Sequence, residues 1–277
     1  MTTMNLLLDI KWGARSMAAL YLSLFSGIVV ALQYDAGHSY YSVSIIDTLV
    51  PFGGFWRSLH FYASQLFFLL LVMHFTAVLL KKSPPSLAVD WYRLIFSMAV
   101  VVLLLFTGYI LRYDATGSSA GRIAENILLS VPYVGRSLDS LFFYIGADGL
   151  KRVYANHLVG LGLLWLALVW THLRRYMVGW RQFPWLLVAL ITWSAIIPAP
   201  LEPDKLGVFH INGPWFFIGL QELLRHIPPL WAGIVWPASF LCCLLFLEPG
   251  NAWRRRAGLL GLAWLAIYGL LTIVGLT

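Results

Sequence analysis

Two apolar stretches that each carry two histidines constrain this chain more than any other feature. The first runs from Leu59 to Leu80, reads LHFYASQLFFLLLVMHFTAVLL, and contains His60 and His74 but no charged residue. About 20 apolar residues cross a bilayer as an α-helix. At roughly 100° and 1.5 Å per residue, His74 returns to within about 40° of His60 and lies roughly 21 Å away along the axis. One helix face therefore presents an imidazole near each membrane surface.

The second stretch, YANHLVGLGLLWLALVWTHLRR, carries His157 and His172. Their spacing of fifteen residues also returns to one face, within about 60°. A single intramembrane histidine is often a hydrogen-bonded residue that holds helices together. Four histidines in two similar pairs favour a functional role, because ionisable groups are costly in a membrane. Neutral imidazole is an axial ligand of heme iron, so two such helices would clamp two hemes in a stack across the membrane.

The composition predicts an all-α integral membrane protein. The chain is 60% hydrophobic and 11% charged, with a mean hydropathy of +0.78, which a soluble domain of this length would not show. The pI of about 9.5 does not indicate nucleic-acid binding, because the basic residues lie at the ends of apolar stretches. The two cysteines, Cys242 and Cys243, are adjacent, so they form no disulfide framework, and the chain has no Cys-x-x-Cys-His heme-attachment motif.

We predict about seven transmembrane helices, over residues 17–33, 59–80, 94–111, 155–174, 183–197, 231–247 and 257–275. Most basic residues near the span ends fall on one side of this arrangement: Lys11, Arg15, Lys81, Lys82, Arg93, Arg174, Arg175, Arg181, Arg254, Arg255 and Arg256. The positive-inside rule places that side, with the N-terminus, in the cytoplasm. The prediction is a multi-pass protein of the cell (inner) membrane whose C-terminus lies outside.

This topology predicts how the histidines pair. The second and fourth spans both run from outside to inside, so we expect His60 to pair with His157 near the outer surface. By the same reasoning, His74 pairs with His172 near the cytoplasmic surface. Each pair would hold one iron, and the two irons would lie roughly 20 Å apart.

Several neighbouring residues fit the same arrangement. Gly13 and Gly27 are fourteen residues apart, like the first histidine pair, and would let a flat macrocycle approach their helix, although glycine is common in membrane helices in any case. Arg57 lies three residues before His60, and Arg174 and Arg175 follow His172. These arginines would pair with heme propionates or would simply anchor helix ends at the interface.

The motifs around these histidines resemble the cytochrome b family of bc-type and b6f-type quinol-oxidising complexes. The intervals His-x13-His and His-x14-His match the family pattern, and the longer second interval resembles its b6 branch. Three further segments resemble family motifs: WRSLH at 56–60, FTGYILRYD at 106–114, and the stretch at 197–228 that includes FHINGPWFFIGLQELLRHIP. The resemblance implies a b6-like diheme four-helix bundle in residues 1–180, fused to a three-helix region in residues 181–277 that resembles subunit IV.

The resemblance also implies a function. We expect a diheme cytochrome b subunit of a membrane quinol/quinone oxidoreductase complex, carrying electrons across the membrane between two b hemes. The family oxidises quinol near the outer surface and reduces quinone near the inner surface. The implied partners are quinone, an outer iron–sulfur protein or c-type cytochrome, and a second copy of the chain in a homodimer.

The outer quinol loop departs from the family pattern. Where the family has Pro-Glu-Trp-Tyr, residues 213–216 read Gly-Pro-Trp-Phe, so the glutamate that accepts a quinol proton and the tyrosine hydroxyl are both missing. Glu222 and His210 are the candidate replacement acceptors. The alternative function is a non-catalytic, heme-bearing membrane anchor that relays electrons and has a degenerate outer quinone site. A transporter is disfavoured, because the predicted helices have almost no acidic residues to relay ions.

Overall fold

The computed structural model describes residues 10–81, 88–145, 149–176, 178–179, 182–204 and 211–277. Within these ranges the chain forms helices and no β-strand. The helices are α1 (Trp12–Ala31), α2 (Ser39–Thr48), α3 (Gly53–Lys81), α4 (Ala88–Leu111), α5 (Ala115–Leu129), α6 (Gly135–Phe142), α7 (Gly149–Arg175), α8 (Pro184–Ile196), α9 (Ile218–Leu224), α10 (Trp231–Phe246) and α11 (Arg254–Leu276).

The long apolar helices match the predicted spans. Helices α1, α3, α4, α7 and α11 are long and apolar enough to cross a membrane, and α8 and α10 are apolar but shorter. The all-α integral membrane fold class is therefore confirmed. Helix α8 has only 13 residues because it begins at Pro184 and is followed by Ile197, whose backbone is extended. The next residue, Pro198, disfavours the helical conformation for the residue before it.

The chain forms two compact units, the first of which comprises Met1–Ser86 and Trp170–Leu201. In this unit α1 packs along α3, and α8 packs against both. Small side chains allow the close approach of membrane helices: Ala18 and Ala19 of α1 and Ala63 of α3 are completely buried. The hydroxyl of Ser23 hydrogen-bonds that of Ser64 across the α1–α3 contact, with 3.4 Å between the oxygens.

The second unit comprises Leu87–Val169 and Glu202–Thr277. Here α9 packs against α11, where a Cβ atom on Gly219 would lie only 2.9 Å from the carbonyl oxygen of Tyr268. Asp114 is fully buried and caps α5 by accepting a hydrogen bond from Gly117 N at 2.8 Å. Its other carboxylate oxygen accepts from Glu202 N at 3.0 Å, which ties the segment before the outer loop to the start of α5.

The predicted division of the chain into residues 1–180 and 181–277 rests on family resemblance, whereas these two units are defined by spatial contacts. That division stays a prediction, and so does the orientation of the termini.

Candidate functional site

The four candidate ligands lie on two of the long helices. His60 and His74 are in α3, and His157 and His172 are in α7. His60, His74 and His172 belong to the first unit, and His157 belongs to the second. The pairing of His60 with His157 therefore stays a prediction, whereas the other pair lies within one unit.

The rings of His74 and His172 lie at a distance from each other that suits one metal ion between them. Their centroids are 6.2 Å apart, with an angle of 50° between the ring planes. Two metal–imidazole bonds of about 2 Å, plus roughly 1 Å from each nitrogen to its ring centroid, place the centroids of two opposed ligands about 6 Å apart. The described side chains thus fit a bis-histidine heme iron, which the chain would hold between these two rings.

Each of three candidate ligands lies against a glycine. A Cβ atom on Gly27 would be 2.8 Å from Cε1 of His60, and one on Gly13 would be 3.0 Å from Cε1 of His74. A Cβ atom on Gly108 of α4 would be 3.1 Å from Cε1 of His157. The fourteen-residue interval that Gly13 and Gly27 share with the α3 histidines thus reflects direct contact in the first unit, with a glycine opposite each ring.

The side chain of His60 is oriented by the backbone of α1. Its Nδ1 lies 2.8 Å from the carbonyl oxygen of Ser23. A carbonyl can only accept, so Nδ1 donates the hydrogen bond and Nε2 keeps the lone pair that a metal needs. No local sequence pattern indicates this contact, because it joins residues that are 37 positions apart.

Helix α7 contains a π-helical turn at Asn156–Gly160, which includes His157. A π-turn is a local widening that takes up one extra residue in an α-helix. The fifteen-residue interval from His157 to His172 is therefore equivalent to fourteen residues of regular α-helix, the interval between His60 and His74. The turn thus compensates for the one-residue difference between the two histidine intervals. Sequence periodicity alone does not reveal it.

Arg57 has protein partners throughout its guanidinium group. It forms a bidentate ion pair with Asp47, with both N–O distances at 2.5 Å, and donates to the carbonyl oxygens of Ala199 and Pro200. The side chain thereby joins α2, α3 and the segment after α8 within the first unit. The predicted contact of Arg57 with a heme propionate stays a prediction, and sequence reasoning missed Asp47. Arg174 is exposed at the end of α7, and its predicted contact with a propionate also stays a prediction.

The segment that replaces Pro-Glu-Trp-Tyr borders a small cavity of about 30 Å³ in the second unit, enough for one or two water molecules. It is lined by Phe106, Thr116, Ser119, Ala120, Ile123, Ile211, Gly213, Pro214, Phe217, Gln221 and Leu224. Gln221 holds the loop beside this cavity, because Oε1 accepts from Gly213 N at 2.7 Å and Nε2 donates to the carbonyl oxygen of Ile211 at 2.6 Å. Sequence reasoning did not identify Gln221.

Glu222 does not line this cavity. It is buried, its Cβ lies 3.4 Å from the position of a Cβ on Gly275, and its carboxylate pairs with Arg225 at 2.8 Å and His226 at 2.9 Å. Hydrogen bonds from Arg225 and His226 lower the pKa of Glu222 below its ordinary value. A low pKa makes the carboxylate a weaker proton acceptor at neutral pH. The other candidate, His210, lies outside the described residues.

The chain is similar in sequence to known proteins over most of its length. The family model for cytochrome b/b6/petB matches residues 2–178. Cytochrome b of Eptatretus burgeri is 23% identical over 274 aligned residues, covering 86% of this chain and 71% of that protein. Cytochrome b6 of Heliobacterium mobile is 29% identical over 168 residues, covering 58% of this chain and 78% of that protein.

A solved structure described as a hyperthermophilic respiratory Complex III contains a similar fold, with a TM-score of 0.71 and 20% identity over 96% of this chain and 83% of that one. The family match extends over well more than half of the chain and includes all four histidines. The chain therefore belongs to the cytochrome b/b6/petB family of multi-pass, heme-binding membrane proteins of electron transport.

Proposed function

We propose that this chain is the diheme cytochrome b subunit of a membrane quinol/quinone oxidoreductase complex and carries electrons across the membrane between two b hemes. The observation that carries the proposal is the 6.2 Å separation of the His74 and His172 rings. Two imidazoles at this separation could each place a nitrogen about 2 Å from one shared iron, as bis-histidine ligation needs.

A second heme between His60 and His157 is supported by matched local surroundings. His60 lies against Gly27, as His74 lies against Gly13, and the two α3 histidines are roughly 21 Å apart along their helix. His157 lies against Gly108 in its own unit. The π-turn in α7 gives its two histidines the same effective interval. Each feature is what two macrocycles at two depths in the membrane would need.

The chain contributes ligation and orientation to this chemistry. When bound, each b heme supplies a one-electron carrier. Two neutral imidazoles would hold each iron and leave it no open position, which favours electron transfer over oxygen binding. Arg57 lies at the outer end of α3 and Arg174 at the cytoplasmic end of α7 in the proposed orientation, where each would face a propionate. The cavity beside residues 213–216 would be the remnant of, or the entrance to, an outer quinone site.

The proposed topology and partners follow from the charge distribution and from the similarity of this fold to a chain of a respiratory Complex III. We place the N-terminus in the cytoplasm and the C-terminus outside, following the charge distribution. The proposed partners are quinone, an outer iron–sulfur protein or c-type cytochrome, and a second copy of the chain.

A second candidate function is a heme-bearing membrane anchor that relays electrons without quinol oxidation at the outer site. One observation favours it: none of the eleven residues that line the cavity is ionisable, so those side chains offer no base for a quinol proton. Glu222, the acceptor candidate that the structure describes, faces α11, and its carboxylate is already paired with Arg225 and His226.

Heme counting in the purified complex tests the proposal. The wild-type chain should contain two b hemes by hemochrome assay, and His74→Ala and His172→Ala should each remove the same one. His60→Ala and His157→Ala should each remove the other. A folded wild-type chain without heme would overturn the proposal. So would the loss of different hemes in two variants whose histidines are proposed to bind the same iron.

Turnover separates the two candidate functions. Quinol:acceptor activity that is sensitive to an outer-site inhibitor is expected of the oxidoreductase and not of the anchor. Loss of this activity in Glu222→Gln or His210→Ala would identify a relocated proton acceptor, and unchanged turnover in both variants would eliminate these two residues.

A further inference from the structure

Thr107 of α4 makes a buried contact with one of the four candidate ligands. The side chain is 4% exposed, and its Oγ1 lies 2.9 Å from Nδ1 of His157. Both residues belong to the second unit. The next residue in α4 is Gly108, which lies against Cε1 of the same ring. Two consecutive residues of α4 thus contact the imidazole, one with a hydroxyl and the other by lacking a side chain.

The direction of the hydrogen bond follows from the other contacts of the hydroxyl. Oγ1 of Thr107 lies 2.8 Å from the carbonyl oxygen of Leu103 and 3.1 Å from that of Leu104. A hydroxyl has one hydrogen, and carbonyl oxygens can only accept, so Thr107 donates to α4 and offers a lone pair to His157. Nδ1 of His157 therefore carries the ring hydrogen of the neutral imidazole, and Nε2 carries the ring lone pair.

The backbone on the other side of this contact is also held in place. His157 lies in the π-turn Asn156–Gly160. Asn156 Nδ2 donates to the carbonyl oxygen of Leu141 at 3.0 Å, which attaches the first residue of the π-turn to α6. The position of the ring is thus fixed by the turn, and its rotation is fixed by Thr107.

We propose that Thr107 is a positioning residue for His157, fixing its tautomer and ring orientation and raising its strength as an iron ligand. This inference rests on the proposed diheme function. Hydrogen bonds from the outer nitrogen of a metal-bound histidine orient the ring and raise the basicity of the ligand. His60 obtains the same effect from a peptide carbonyl, which no side-chain substitution removes. At His157 the hydrogen-bond acceptor is the side-chain hydroxyl of Thr107, which a substitution can remove.

The central variant is Thr107→Val, which has nearly the same shape but cannot accept a hydrogen bond. A weaker imidazole donor stabilises ferric iron less, so the midpoint potential of one heme should become more positive while the other stays unchanged. The low-spin ferric EPR signal of the same heme should move, because its ligand ring is free to rotate. Thr107→Ser keeps the hydroxyl and should restore both properties.

Thr76→Val is the matched control. Thr76 of α3 donates to the carbonyl oxygen of Val72 at 2.9 Å, so the variant removes the same kind of hydroxyl-to-helix bond without a described contact to a histidine. It should leave both midpoint potentials and both EPR signals unchanged.

The experiment is a redox titration of the purified complex with optical and EPR detection of both hemes. A selective shift in Thr107→Val, or selective loss of one heme, supports the inference if Thr107→Ser restores the wild-type value. Wild-type potentials and EPR signals in Thr107→Val, or an equal change in Thr107→Ser, would overturn it. A wild-type chain without two b hemes would instead overturn the proposed function.

Discussion

Replacing Gly27 with alanine would place a methyl group inside the contact distance of the His60 ring. The new Cβ would lie 2.8 Å from Cε1 and 2.9 Å from Nδ1, closer than such atoms normally approach. The ring cannot move freely, because Nδ1 is hydrogen-bonded to the Ser23 carbonyl at 2.8 Å. The variant must therefore shift α1 away from α3, or rotate the imidazole and break this hydrogen bond.

The energetic cost can be worked out from these two contacts. Overpacking of this kind costs about 1–3 kcal/mol, whether it is relieved by moving α1 or by breaking the hydrogen bond, which by itself contributes about 1 kcal/mol. Because about 1.4 kcal/mol corresponds to a tenfold change in an equilibrium constant, heme held by His60 should bind roughly 5-fold to 140-fold more weakly. Heme held by His74 should be unaffected, since Gly27 does not contact that ring.

The assay is heme retention in the purified variant, measured by hemochrome stoichiometry while a soluble heme-scavenging protein competes for the cofactor. Gly27→Ala should lose one of two hemes, and Gly13→Ala should lose the other. Gly162→Ala is the matched control, because no atom lies within 4 Å of its new Cβ. Wild-type retention of both hemes in Gly27→Ala, or a comparable loss in Gly162→Ala, would refute the reasoning.

Three further predictions follow from other contacts. Deleting Val159 should convert the π-turn of α7 to regular α-helix and leave both hemes bound. Deleting Leu69 from α3, which has no such turn between its histidines, should instead rotate one ligand by roughly 100° and remove a heme. Equal heme loss in both deletions would contradict the role assigned to the π-turn. Asp47→Asn should destabilise the protein by about 3–5 kcal/mol, because it leaves the buried guanidinium of Arg57 without its ion-pair partner; an unchanged unfolding temperature in detergent would show that the pair is not stabilising. Hydrogen bonds from Arg225 and His226 lower the pKa of Glu222 below 4.5, so the carboxylate stabilises the fold above that pH, and this stabilisation is lost as the pH falls through the lower folded-state pKa. Glu222→Gln should therefore flatten the decline of the unfolding temperature as the pH falls below the ordinary pKa of a glutamate. An acid dependence identical to that of the wild type would rule out this role.

The length of the apolar stretches predicted the spans well, because a membrane leaves few alternatives to a helix that satisfies its own backbone hydrogen bonds. The interval between Gly13 and Gly27 equals that between the α3 histidines and indicated room for a macrocycle, and the structure places each glycine against a histidine ring. The shortness of α8 followed from Pro184 and Pro198, which were visible in the sequence.

Other features depend on contacts that no local pattern encodes. The π-turn at Asn156–Gly160 changes the effective interval between His157 and His172, and a count at 100° per residue assumes that no such turn exists. The contacts of His60 with Ser23 and of His157 with Thr107 join residues distant in sequence. The ion pair of Arg57 with Asp47 depends on how α2 folds back on α3.

The position of Glu222 shows a further limit of motif reasoning. It lies one residue after Gln221, which lines the cavity, but a helical residue points about 100° away from its neighbour. Glu222 consequently faces Gly275 of α11, and Gln221 faces the loop. Proximity in sequence to a substituted motif did not identify the side chain that reaches the cavity.

The most direct test of heme binding by these four histidines is a density map of the purified chain in lipid nanodiscs, at a resolution that shows side chains. Two porphyrins should appear, one with its iron between Nε2 of His74 and Nε2 of His172, and the other between the corresponding atoms of His60 and His157. Side-chain density that fills the space between the His74 and His172 rings would contradict the proposed binding of two hemes. So would any of these four imidazoles pointing into lipid.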